Sequence, residues 1–133
     1  MIVQRLDHVN IITDRLAETA RFYAELLDLE ERDGPPPLLP HQARWMHDAS
    51  GQAILHVNST DCPRAFDRAV MPGAETGAIH HVALRCGAFD VVKARLDARG
   101  AAYRVNDVPS IGLRQIFTAD PNNVLLELNF FGR

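Results

Sequence analysis

Cysteine is scarce in this chain of 133 residues. Only Cys62 and Cys86 occur, isolated and with no C-x-x-C spacing. A disulfide framework is therefore not expected, and a reducing cytoplasm is the expected setting. Cys86 ends a strand candidate and reads as a small packed residue. Long apolar runs are also missing: nothing approaches the roughly 18 residues of a membrane span. There is no run of five or six basic residues, and 14 Lys and Arg against 17 Asp and Glu give a formal net charge of −3. The usual electrostatic cause of nucleic-acid or acidic-lipid binding is thus absent, and neither partner is expected. Met1 leads straight into the strand-like "IVQRLDHVNII", with no charged-then-apolar leader pattern, so no secretory leader is expected.

What is present is the balance of a globular domain, with 47% hydrophobic and 23% charged residues. Residues 2–12 alternate and are rich in Val and Ile, which predicts a strand. Asp14 reads as an N-cap for a helix over 15–29, with Leu16, Ala20, Tyr23, Leu26 and Leu27 at helical spacing. "GPPPLLP" (34–40) reads as a loop, because proline removes donors and fixes φ. "ARWMHD" (43–48) and "QAILHVN" (52–58) read as a hairpin joined at "ASG". Residues 59–78 read as a linker with one helical turn near 64–71.

The pattern then restarts. "IHHVALRC" (79–86) predicts a strand, "AFDVVKARLDARG" (88–100) a helix closed by Gly100, and "AAYRVN" (101–106) a strand. "GLRQIFTAD" (112–120) and "NNVLLELNF" (122–130) predict a hairpin around "DPNN". The halves also match residue by residue. "LDHVNII" aligns with "IHHVALR", placing His8 on His81, and "ILHVN" aligns with "LLELN", placing His56 on Glu127. This is a two-copy duplication rather than a solenoid.

Glu127 interrupts the apolar strand "VLLELNFF", and a carboxylate held away from water is costly unless paired or bound to a metal. Strand alternation sets Glu127 and Asn129 on one face, His56 and Asn58 on another, and likewise His8 with Asn10 and His81 with Ala83. Three imidazoles and one carboxylate suit a divalent transition metal. His8, His56, His81 and Glu127 are therefore the expected metal ligands. His80, beside His81, is expected to face the other way in a packing or surface role. Arg114 is a candidate anchor for an anionic substrate group, and Asn10, Asn58 and Phe117 are further candidate substrate contacts.

With these motifs in view, "LDHVNIITDRLAETARFYAELLDL", "AILHV", "IHHVALRC" and "TADPNNVLLELNF" resemble the vicinal oxygen chelate superfamily, which includes glyoxalase I, methylmalonyl-CoA epimerase, extradiol dioxygenases and the fosfomycin and bleomycin resistance proteins. The resemblance implies an α+β fold of two tandem βαβββ modules (1–58 and 79–133). Their mixed sheets would curve into a half-open barrel around a metal cleft, with the helices outside. It implies one divalent metal (Ni, Zn, Co, Mn or Fe) on His8, His56, His81 and Glu127, a small-molecule substrate and a homodimer. Glyoxalase I generally has a glutamate where His56 stands, so the two-carboxylate mechanism does not carry over intact. The expected activity is a glyoxalase-like isomerase or lyase working through a metal-stabilised enolate or enediolate, with Glu127 as proton carrier. The alternatives are an extradiol-type Fe(II) or Mn(II) dioxygenase and a non-catalytic binding or resistance protein.

Overall fold

A computed structural model describes residues 1–132. Arg133, the last residue of the expected second module, lies outside the described residues. The chain divides into two compact units, Met1–Gly73 and Ala74–Arg133. Each is an α+β module with one four-stranded mixed sheet and one helix.

The first unit holds β1 (Val9–Thr13), α1 (Leu16–Leu27), β2 (Glu30–Asp33), β3 (Ala43–His47) and β4 (Ala53–Ser59). Its strand order is β1-β4-β3-β2. β1 runs parallel to β4, and the other pairs are antiparallel. The second unit repeats this with β5 (Val82–Cys86), α2 (Phe89–Ala98), β6 (Tyr103–Val108), β7 (Leu113–Ala119) and β8 (Leu125–Phe131), in the order β5-β8-β7-β6. Here β5 runs parallel to β8.

One face of each sheet is covered by its helix. In the first unit Phe22, Tyr23 and Leu26 of α1 are buried, as are Met46, Leu55 and Val57 of the sheet. In the second, Val92 and Leu96 of α2 are buried, as are Ile116, Leu126, Leu128 and Phe130, with Phe89 meeting Phe130 edge to face at 5.3 Å. The periodicity that predicted the helices is thus the periodicity of burial. The other face of each sheet carries the polar residues.

Several boundaries differ from expectation. The first strand begins at Val9 rather than at residue 2, and the fifth at Val82 rather than 79. The parallel ladder begins with Val9 opposite Leu55. The Gln52 side chain donates to the Asp7 carbonyl. Asp14 is not the N-cap of α1; that position is Arg15, whose backbone N–H donates to Thr13 Oγ1. No helical turn forms at 64–71. The short strand β2 is all charged and exposed, so no apolar face marks it in the sequence; as an edge strand it needs none.

The duplication extends into the hairpin turns. Asp120 Oδ1 accepts from the backbone N–H groups of Asn122 (2.7 Å) and Val124 (2.9 Å). Asp48 Oδ1 does the same with Ser50 (2.9 Å) and Gln52 (3.2 Å). Each carboxylate holds the donors two and four residues ahead, which closes the last hairpin of each module. Asp120 is buried, so its removal strands two donors. Asp120→Ala is expected to lose about 1–3 kcal/mol in urea denaturation, and Asp48→Ala, at a more open turn, less. Equal or negligible losses would show that the turn backbones hold themselves.

Candidate functional site

Each parallel strand pair builds one half of a candidate site. In the first unit Asn10 lies opposite His56 on the neighbouring strand, and Trp45 of β3 lies opposite His56 on its other side. These placements turn three rings into one stack. His56 lies parallel to His8 with ring centroids 3.7 Å apart, and parallel to Trp45 at 3.6 Å. His8 immediately precedes β1. Its Nδ1 is 2.6 Å from the Asp7 carboxylate, which selects the tautomer that donates from Nδ1 and leaves Nε2 as the acceptor. Asn58 Nδ2 donates to Asn10 Oδ1 at 2.5 Å.

The stack decides what His56 can do. Two imidazoles bound through nitrogen to one tetrahedral ion, with bonds near 2.0–2.1 Å, hold their centroids about 5 Å apart. At 3.7 Å and nearly parallel, His8 and His56 are not placed to share an ion. Burial between two rings, reinforced by the neighbouring His8, lowers the His56 pKa to about 4. In this arrangement His56 is a neutral ring between Trp45 and His8.

In the second unit Ala83 and Phe117 flank Glu127 from the neighbouring strands. Glu127 is largely covered, its side chain 16% exposed. Its Oε2 accepts from Asn129 Nδ2 at 2.9 Å, and its Oε1 lies 3.6 Å from His81 Nε2. Two donor atoms on one ion at about 2.1 Å are separated by about 3.4 Å, so this pair fits two neighbouring coordination positions. His81 Nδ1 is 3.0 Å from His80 Nδ1. His80 thus supports His81 and does not point away from it. Both residues precede β5, where strand alternation does not apply.

Phe117 and Arg114 lie on opposite faces of β7. Phe117 lies opposite Glu127, so Gln115 and Phe117 share its face while Arg114, opposite Phe130, faces the helix. Its guanidinium lies 3.8 Å from the Phe89 ring centroid. Two cations lie on the Glu127 face: Arg85, opposite Asn129 and 4.4 Å from the Phe131 ring centroid, and Arg104 on the edge strand β6, opposite Phe117. Residue parity along β7 would have excluded Arg114 only with the β7–β8 register known. Among the described residues no three or more His, Cys, Asp or Glu side chains are grouped to hold a metal ion. The ligand-type residues come in pairs, one pair per unit.

The neutral state of His56 has a pH consequence. The unfolded chain binds this proton near pH 6.5 and the folded chain only near 4. Between these values the unfolded state holds more protons, so this group lowers stability as pH falls from about 6.5 to about 4 and has no effect above 6.5. Metal-free denaturation at pH 7 and pH 5 is expected to show a smaller loss on acidification for His56→Gln than for the parent. An identical loss would mean that His56 titrates normally.

Residues 5–128 match the family model for the Glyoxalase/Bleomycin resistance protein/Dioxygenase superfamily. No curated protein matches the chain. Among solved structures, it is similar to a glyoxylase/bleomycin resistance protein/dioxygenase domain from Frankia sp. EAN1pec, at 20% identity and a TM-score of 0.68, covering 98% of this chain and 94% of that one. A glyoxalase/dioxygenase from Nostoc punctiforme is similar at 17% identity and a TM-score of 0.71, covering 98% and 92%. The genomically encoded fosfomycin resistance protein FosX from Listeria monocytogenes is similar at 18% identity and a TM-score of 0.68, covering 98% and 96%. At these identities the structures share the fold. The match over residues 5–128, with the two βαβββ modules, places this chain in the glyoxalase/bleomycin resistance protein/dioxygenase superfamily.

Proposed function

We propose that the protein is a metal-dependent, glyoxalase-like isomerase or lyase acting on a small oxygenated substrate. The observation that supports it most is the state of Glu127: a largely covered carboxylate with one oxygen tied to Asn129 and the other beside His81 Nε2. A carboxylate so placed serves as a ligand and as a proton carrier. His81 and Glu127 would hold the divalent ion, completed by His8 of a first module, of this chain or of a second copy, with His56 stacked on His8 as its support. Nickel, zinc, cobalt, manganese and iron all suit this donor set. The ion would supply Lewis-acid polarisation of the substrate's vicinal oxygens.

The chain's own residues do the rest. Asp7 accepts from His8 Nδ1 and so frees His8 Nε2, and His80 Nδ1 engages His81 Nδ1 and orients that ring. Glu127 takes and returns a proton at Oε1. Phe117, opposite Glu127, would form an apolar wall beside the carboxylate that keeps water from the reacting carbon. Arg85, in place of Arg114, is the candidate anchor for an anionic substrate group, and Asn10 and Asn58 form a polar contact beside His56.

A second reading has its own support. With His56 stacked, the remaining donors are two histidines and one carboxylate, the facial set of non-haem Fe(II) oxygenases. The readings separate in one set of experiments. Elemental analysis is expected to find about one ion per site, lost in His8→Ala, His81→Ala and Glu127→Ala and retained in His56→Ala. The loaded protein is expected to exchange the C–H proton of α-hydroxycarbonyl compounds in D2O, followed by proton NMR, with Glu127→Gln slower by about 10²–10⁴-fold. Oxygen uptake with catechols and no such exchange would favour the oxygenase. A folded protein that takes up no metal would leave a binding module.

We also propose a homodimer. Each sheet is open at both edges, and Ile2, Val3 and Leu6 beside the start of β1 are exposed, a combination that association covers. Sedimentation is expected to give twice the chain mass at micromolar concentration. A monomer there would overturn this reading.

A further inference from the structure

Glu127 does not stand alone on its face. Asn106, Gln115 and Asn129 occupy directly opposed positions on β6, β7 and β8. Their side chains form one chain of hydrogen bonds. Asn106 Nδ2 donates to Gln115 Oε1 at 2.8 Å, Gln115 Nε2 to Asn129 Oδ1 at 3.1 Å, and Asn129 Nδ2 to Glu127 Oε2 at 2.9 Å. Each of the three amides donates toward the carboxylate, and Gln115 and Asn129 accept from the side away from it. The relay therefore has a direction, and that direction is set by its last acceptor: an ionised carboxylate only accepts.

The first unit shows what happens without the carboxylate. The position opposite Asn58, equivalent to that of Gln115 opposite Asn129, is Ala43. Asn58 there donates sideways to Asn10, and its Oδ1 is buried with no hydrogen-bond partner among the described residues. The residue two before it is His56, not a carboxylate. The same fold thus carries the relay in the module that has a glutamate and lacks it in the module that does not.

We propose that Gln115 and Asn129, with Asn106 at the outer end, are positioning residues that pin Glu127 by Oε2 and so present Oε1 as its one free oxygen beside His81. Aligned amides polarise one another along the chain, so reversing one reverses those after it. This deepens the metal-site reading above and rests on it.

The test uses polarity rather than loss. Asn106→Asp and Gln115→Glu each replace an amide by a carboxylate of nearly the same shape. Either change obliges the next amide inward to turn its N–H₂ outward, and Asn129 then faces Glu127 with its oxygen. By charge alone, an added carboxylate would tighten binding of a cation; the relay predicts the reverse. Cobalt(II) is titrated into the metal-free full chain and followed by its visible ligand-field spectrum, with affinity set by a competing chelator. Gln115→Glu is expected to weaken cobalt binding about 10–100-fold and to alter the spectrum. Asn106→Asp, on the exposed edge strand, is expected to act in the same direction, and Asn106→Ala only slightly. Asn106→Asp also keeps the test open if Gln115→Glu does not fold. Unchanged or tighter binding in folded Asn106→Asp and Gln115→Glu, with binding lost in Glu127→Ala, would overturn the relay and leave the metal site standing. Cobalt binding undiminished in Glu127→Ala would overturn the metal site itself and the relay's role with it.

Discussion

Each half of the candidate site hangs on one parallel ladder. β1 lies beside β4 and β5 beside β8, and a parallel pair needs a long crossover between its members. In each module that crossover is a helix and two further strands. The helix covers one face of the sheet and leaves the other free for polar residues. The ladder then sets a residue at the entrance of the first strand beside one in the middle of the last: His8 by His56, and His81 by Glu127. Without the parallel register these residues would be nearly fifty positions apart and unrelated in space.

The duplication preserved that scaffold and let the two polar faces diverge. Both modules keep an aspartate that closes the last hairpin, and both keep a polar residue just before the first-strand histidine that engages its Nδ1. They differ in the middle of the last strand. One module fills that point with an imidazole pressed between two rings, which burial keeps neutral. The other fills it with a carboxylate supplied with a directed chain of amides. A neutral ring is content with stacking. A covered carboxylate needs donors, and the neighbouring strands supply them.

Membership of the superfamily fixes the scaffold, and among the described residues no helix is long and apolar enough to cross a membrane. The chemistry lies in which donors each module contributes. In the first module His56 is stacked between Trp45 and His8, and in the second Glu127 stands beside His81.

By itself the sequence determined the fold class and the duplication, and it marked Glu127 as out of place in an apolar strand. Those follow from local periodicity, from the turn chemistry of "DPNN", and from a carboxylate placed inside an apolar strand, all of which act along the chain. It did not show the face that Arg114 takes, read His80 as a bystander, began the first and fifth strands before their ladders, and passed over Gln115. These depend on cross-strand register, and a shift of one residue exchanges the two faces of a strand. His56 was legible as a special residue but not as a stacked one, since ring stacking is set by Trp45, a residue on a different strand. The sequence states which side chains alternate on each strand; only the tertiary structure decides what each one meets across the ladder.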